Sequence, residues 1–298
     1  MLQGPTTFAD PHLESLFPAV QSRRRGFMAA ATTVVGFALA AGPVNAQSAI
    51  HTPAEGLDAG DMWVPVGGDK MPAYMASPAQ AGKYPVVIVV PEVFGMHEYQ
   101  KDICRRLARL GYVGVTFDPY FRLGDLVKMT NIGEVVALSN KLADTQMLSD
   151  LDGLVAFIEK QPKVNPAKIG ITGMCRGGRS VWMFAAHNKA IKAAVAWYGP
   201  LNPTPGTMPQ TPHDVAAGLF APVLGLYGGA DSGIPVSEIA RLQEVLKAGN
   251  KNAKASRFIV YPGVGHAFHA DYRPSYRKEA AEDGWQHMLA WFKAHGVA

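Results

Sequence analysis

Cys175 sits between glycines, in Gly173-Met174-Cys175-Arg176-Gly177-Gly178. The run before it, 168–172, is apolar and reads as a strand, and 177–188 reads as a helix. A strand that turns sharply through glycines into a helix leaves the residue at the apex exposed. The helix N-terminus behind it favours thiolate or oxyanion charge. G-x-C-x-G in that setting is a nucleophile elbow with cysteine in place of serine. A glycine-flanked cysteine alone could equally be a buried structural residue. Two further placements tip the balance. Asp231 follows the apolar run 223–227 in Gly228-Gly229-Ala230-Asp231, and His266 follows 257–261 in Pro262-Gly263-Val264-Gly265-His266. Nucleophile, acid and histidine then come in the chain order of an α/β-hydrolase, each just past a strand. A nucleophile, an acid and a histidine so placed would suit nucleophilic chemistry of the acyl-transfer kind.

Other reactive residues carry less. Cys104 lies mid-helix in Asp-Ile-Cys-Arg-Arg and reads as core. His287 and His295 fall on the last helix and read as surface. His187 lies near a helix end, where a cation suits the dipole. His269 is close enough to His266 to suggest a metal pair, but no carboxylate pattern accompanies them, so no metal is expected. Ser180 lies inside the helix after Cys175 and cannot be the elbow nucleophile.

The elements that must position these groups alternate. Residues 47–298 amount to a single α/β domain. Segments 61–67 and 71–76 read as antiparallel strands turning at Gly67-Gly68. Residues 84–91 (YPVVIVVP) are apolar on both faces, as in a buried central strand. Strands are also expected at 113–117 and 193–198. Helices are expected at 98–110, over most of 133–161, at 235–248 and at 276–295. Strands separated by helices imply a mostly parallel sheet covered on both faces, the α/β-hydrolase architecture. The Pro- and Thr-rich stretch 203–212 reads as a connecting loop.

Composition narrows the function classes. The chain of 298 residues is 48% hydrophobic and 17% charged, which excludes a disordered protein. Two cysteines exclude a disulfide-rich scaffold and a cysteine-based zinc module. The net charge of +4 is small and no stretch of five or six basic residues occurs, so nucleic acid is not an expected partner.

Five segments, in order, resemble the dienelactone hydrolase (carboxymethylenebutenolidase) family: Pro91-Glu92-Val93-Phe94-Gly95, Asp118-Pro119-Tyr120-Phe121-Arg122, the elbow at 173–178, Gly228-Gly229-Ala230-Asp231, and Gly265-His266-Ala267-Phe268. The resemblance implies Cys175 as nucleophile, His266 as base and then acid, and Asp231 as its orienter. It implies an oxyanion hole from the amides of Val93 and Arg176. Glu92 would pair with the resting thiol, and Arg122 would hold a substrate carboxylate. The family's best-known members carry a second carboxylate-binding arginine four residues after the histidine. That position is Ala270 here, with Arg273 and Arg277 as the available substitutes.

The N-terminus reads as an address. Residues 22–46 run from Ser-Arg-Arg-Arg-Gly-Phe-Met through a mild apolar stretch to Val44-Asn45-Ala46, a small-residue cleavage site. Arg24-Arg25-Gly26-Phe27-Met28 resembles a twin-arginine export signal, and 1–21 reads as an extension ahead of it. The expectation is a periplasmic monomer without cofactor or stable membrane insertion, acting on a small lactone or ester that bears a carboxylate. The alternatives are a general carboxylesterase or thioesterase of the same fold, and a non-catalytic redox-sensing or ligand-binding protein.

Overall fold

The computed structural model describes residues 50–203 and 207–298. The expected signal at 22–46 lies outside them.

The chain opens with an antiparallel hairpin, β1 (Leu57–Val66) and β2 (Asp69–Pro78). Gly67 and Gly68 turn it with φ of 55° and 89°, which glycine adopts without steric cost. β1 exposes Trp63 and Pro65 and buries Val64 and Val66, the alternation of an edge strand. There follow β3 (Tyr84–Val90), α1 (Glu98–Arg109), β4 (Val113–Phe117), α2 (Ile132–Ser139), α3 (Asp144–Ile158), β5 (Val164–Met174), α4 (Arg176–Ala185), β6 (Ile191–Trp197), β7 (Val223–Gly228), α5 (Val236–Ala248), β8 (Arg257–Tyr261) and α6 (Lys278–Ala294). Eight strands form one sheet in the order β1-β2-β4-β3-β5-β6-β7-β8. From β4 through β8 all neighbours are parallel.

Residues 86–90 of β3 are fully buried because both sheet faces are covered. α1 presses on the backbone of Gly114 in β4, where a Cβ would lie 2.6 Å from Cys104. α6 presses Phe292 against Gly170 in β5 on the same face. α3 and α4 cover the other face, with Gly153 against Val66 and Trp182 stacked on Phe258.

The stretch expected as one helical region over 133–161 divides. α2 ends near Asn140 and α3 starts at Asp144, so the carbonyl of Leu142 is left for another donor. β5 is longer than 168–172 and carries the chain straight to the elbow. Parallel strands point their C-terminal ends one way, so the loops after β3, β4, β5, β7 and β8 gather along one edge of the sheet.

Candidate active site

Cys175 stands at the apex between β5 and α4 with φ 53° and ψ −123°. A side chain at such angles is strained by about 1–3 kcal/mol, which the surrounding packing must hold. Its amide donates to the carbonyl of Trp197 at 3.0 Å. Gly177 makes the turn possible: a Cβ there would lie 2.3 Å from the Val90 carbonyl oxygen. Cys175 is buried, at 4% exposed, where the elbow was expected to expose it, because the surrounding loops close over the strand end; Cys104 in α1 is buried too, and both are free thiols.

Asp231 and His266 arrive from neighbouring loops. The acid loop is tied to the histidine loop by Gly229 N–H to Tyr261 O at 2.8 Å and Ala230 N–H to Val264 O at 2.9 Å. His266 Nδ1 lies 2.7 Å from Asp231 Oδ2, and Gly233 N–H donates to Asp231 Oδ1 at 3.0 Å. That bond puts the Nδ1 proton on the carboxylate side and leaves Nε2, buried and without a partner among the described residues, for proton transfer. Burial alone would lower the His266 pKa. The charges of Asp231 and Cys175 outweigh it and raise it from 6.5 to about 10, so the imidazolium is favoured.

Glu92 follows β3 and is 1% exposed. Its Oε2 accepts from Tyr272 Oη at 2.5 Å and lies 3.5 Å from Arg273 Nη2. His97 Nε2 stands 3.9 Å from the same oxygen. Burial, seconded by Arg273, lowers the His97 pKa to about 3, so this histidine is neutral. Burial and Glu92 push the Tyr272 phenol well up, and it remains a donor. The Arg273 guanidinium also lies over the rings of Phe94 and Tyr272, at 4.5 and 5.1 Å. Glu92 Oε1 has no partner among the described residues.

Val93 and Arg176 are the two residues whose amides were expected to form an oxyanion hole. Among the described residues neither amide is spent on a hydrogen bond, as an oxyanion hole requires.

Arg122, expected to hold a substrate carboxylate, is engaged by protein carboxylates. Its Nη1 and Nη2 donate to the two oxygens of Asp150 at 2.8 and 3.1 Å, and its Nε to Asp69 at 2.6 Å. With both edges of the guanidinium engaged, it ties α3 to the hairpin and does not present a free fork to a substrate carboxylate. Arg277 also points elsewhere, donating to the carbonyls of Pro274 and Tyr276. Of the two substitutes for the arginine absent at Ala270, Arg273 is the one at the site.

The remaining histidines have local tasks. His269 Nδ1 is bonded to the Tyr99 hydroxyl, and His187 Nε2 lies 2.7 Å from Asp152. Ser180 Oγ donates to the Arg176 carbonyl at 3.2 Å. Sequence reasoning missed Tyr272, His97 and Tyr198. Tyr198, with φ 37°, sets its ring edge-on to His266 at 5.0 Å. Its place just past the end of β6 was the available signal.

A mostly parallel sheet with a nucleophile elbow, and an acid and a histidine on later strand ends, defines an α/β-hydrolase. Residues 71–296 match the dienelactone hydrolase family, and the chain belongs to it. A Methylorubrum extorquens protein provisionally named a carboxymethylenebutenolidase is 50% identical over 294 residues, 98% of this chain and all of that one. A Bradyrhizobium protein provisionally named a 2-oxo-3-(5-oxofuran-2-ylidene)propanoate lactonase is 32% identical, over 78% of this chain and 94% of that one. The crystal structure of a Klebsiella pneumoniae protein, provisionally a dienelactone hydrolase, superposes with a TM-score of 0.76 at 45% identity, covering 80% of this chain and 98% of that one. The chain is accordingly a carboxylic ester hydrolase of carboxymethylenebutenolidase type.

Proposed function

We propose that this enzyme opens unsaturated γ-lactones bearing a carboxylate, through a Cys175-His266-Asp231 triad and an acyl-enzyme. The Cys175 thiolate adds to the lactone carbonyl carbon. The amides of Val93 and Arg176 receive the oxyanion. Collapse breaks the ring C–O bond, and His266 protonates the departing enol oxygen. Water, deprotonated by His266, then cleaves the thioester and restores the thiolate. Glu92, held by Tyr272 and Arg273, is the carboxylate partner of the nucleophile. The observation that carries this reading is the buried His266–Asp231 pair at 2.7 Å, with Nε2 left free beside Cys175. The carboxylate preference draws on the Bradyrhizobium relative, named for a lactone with an acidic arm. We further propose export through the twin-arginine signal at 22–46, which places the enzyme in the periplasm.

The test is ring opening followed by ultraviolet absorbance. The substrates are 4-carboxymethylenebutenolide, the same methylene butenolide without its carboxylate, and p-nitrophenyl esters. Faster turnover of the carboxylated lactone is expected. Broad ester turnover without that preference would make the protein a general carboxylesterase, and a Cys175 that no activated ester acylates would defeat the mechanism.

A further inference from the structure

Arg176 has a buried side chain that the mechanism above does not use. The residue is 4% exposed. Nη2 donates to the Leu142 carbonyl at 2.9 Å, in the break between α2 and α3. Nε and Nη1 have no partner among the described residues, so three of the five N–H donors are unspent.

Its charge is also incompletely matched. Asp144 gives Oδ2 to Arg179 at 2.8 Å, and its Oδ1 is 3.7 Å from Arg176. Two buried guanidiniums thus share one carboxylate. Burial lowers the Arg176 pKa accordingly, while Tyr120, Asp144 and Cys175 pull the other way. Leaving a buried cation half-paired is costly unless something else completes it.

Tyr120 supplies a second unspent donor. Its hydroxyl is buried with no partner among the described residues. Its ring packs on the oxyanion loop, where a Cβ at Gly95 would lie 3.6 Å from Tyr120 Cδ2. Tyr120 thus packs on the loop that carries Val93, and Arg176 adjoins Cys175 in the chain; burial pushes the Tyr120 phenol up, with the Arg176 charge opposing it.

We infer that the Arg176 guanidinium, assisted by the Tyr120 hydroxyl, is the anchor for the carboxylate of the substrate. The inference rests on the reading that a carboxylated lactone is opened at Cys175. One residue then serves twice: its amide faces the reacting oxygen and its side chain the remote anion. The role expected of Arg122 passes to a residue whose donors are free.

The experiment measures kcat/KM for 4-carboxymethylenebutenolide and for the methylene butenolide lacking the carboxylate, and reads their ratio. Arg176→Gln should lower the ratio roughly 30- to 150-fold, the size of one buried charge-assisted contact, with the change mainly in KM. Arg176→Lys should restore part of it. Tyr120→Phe should lower the ratio roughly 3- to 10-fold without loss of thermal stability, since it deletes a hydroxyl that bonds nothing. Should Arg176→Gln fail to fold, Tyr120→Phe decides alone. A ratio unmoved in the folded variants would overturn the inference and make Arg176 a strut for the Leu142 loop, while leaving the proposed function standing. A wild-type protein that opens neither lactone would overturn the proposed function and this inference together.

Discussion

Tyr272 and Glu92 meet across 180 residues of sequence, the phenol donating to Oε2 at 2.5 Å. That bond and the longer contact with Arg273 hold a buried carboxylate whose other oxygen has no partner among the described residues. Removing the hydroxyl leaves Glu92 with the long contacts to Arg273 and to the neutral His97. Tyr272→Phe should therefore cost about 1.5–3 kcal/mol, the range for a hydrogen bond to a charged group. Urea unfolding checks it. A loss below ~0.5 kcal/mol would mean that Arg273 suffices to hold Glu92.

Cys175→Ala should abolish hydrolysis and keep the fold. The strained backbone at φ 53° is no worse for alanine, and the Trp197 carbonyl still accepts the amide. Loss of a triad nucleophile lowers kcat by about 10³-fold or more. Cys175→Ser should be nearly as poor, because a hydroxyl is far less acidic than a thiol and Glu92 nearby opposes another anion. Mass spectrometry of the wild-type enzyme with a slow ester should find the acyl group on Cys175. Retained turnover in the alanine variant with a native circular-dichroism spectrum would remove the cysteine from the mechanism.

The His266–Asp231 pair sets a pH dependence. The folded-state pKa of His266 is raised to about 10, opposed by burial but driven by Asp231 and Cys175. For a raised histidine the stabilisation is fully present below the unfolded value near 6.5 and is lost as pH climbs through the folded value. Activity that needs the imidazolium should fall on the same alkaline side. Asp231→Asn removes the larger of the two charges. The alkaline limb of kcat/KM should move to lower pH, and activity should drop about 10²- to 10⁴-fold. An alkaline limb that stays in place would show that another group titrates there.

The strand-end placement of Cys175, Asp231 and His266 was readable because each follows an apolar run that reads as a strand, and such runs survive in sequence as local pattern. The hairpin was readable for the same reason, from Gly67-Gly68. The environment of Glu92 was not. Tyr272 lies in a loop with no period, and it reaches Glu92 only because β3 and the segment after β8 end on the same edge of the sheet. Arg122 misled for a related reason. Asp-Pro-Tyr-Phe-Arg marks the loop, but Asp69 and Asp150, which engage the guanidinium, come from a hairpin and a helix far away in the chain. Local pattern positions backbone, and long-range charge pairing decides which side chains are left free.

Export is proposed from Arg24-Arg25-Gly26-Phe27 ahead of a mild apolar run. Replacing both Arg24 and Arg25 with Lys keeps the charge and removes the paired guanidiniums. The precursor should then stay in the cytoplasm, measured by fractionation and immunoblot against a cytoplasmic marker. Unchanged periplasmic recovery would dispose of the twin-arginine reading.

Arg122 separates a structural arginine from a binding one. Asp150 is 1% exposed at its side chain and takes both Nη1 and Nη2 of Arg122, with Gln146 Nε2 as its other donor at 3.0 Å. Arg122→Ala leaves that carboxylate buried with one neutral donor. Breaking a buried pair costs about 3–5 kcal/mol, and the partial exposure of Arg122 reduces this to about 2–3 kcal/mol. Thermal and urea unfolding should show the loss, and Arg122→Ala/Asp150→Leu should recover much of it by removing the orphaned charge. Catalysis should respond differently. If Arg122 is spent on Asp150, the carboxylated lactone and its uncharged analogue lose alike, and their kcat/KM ratio stays within about twofold of wild type. A selective loss of thirtyfold or more on the carboxylated lactone would show that the guanidinium leaves Asp150 to bind substrate.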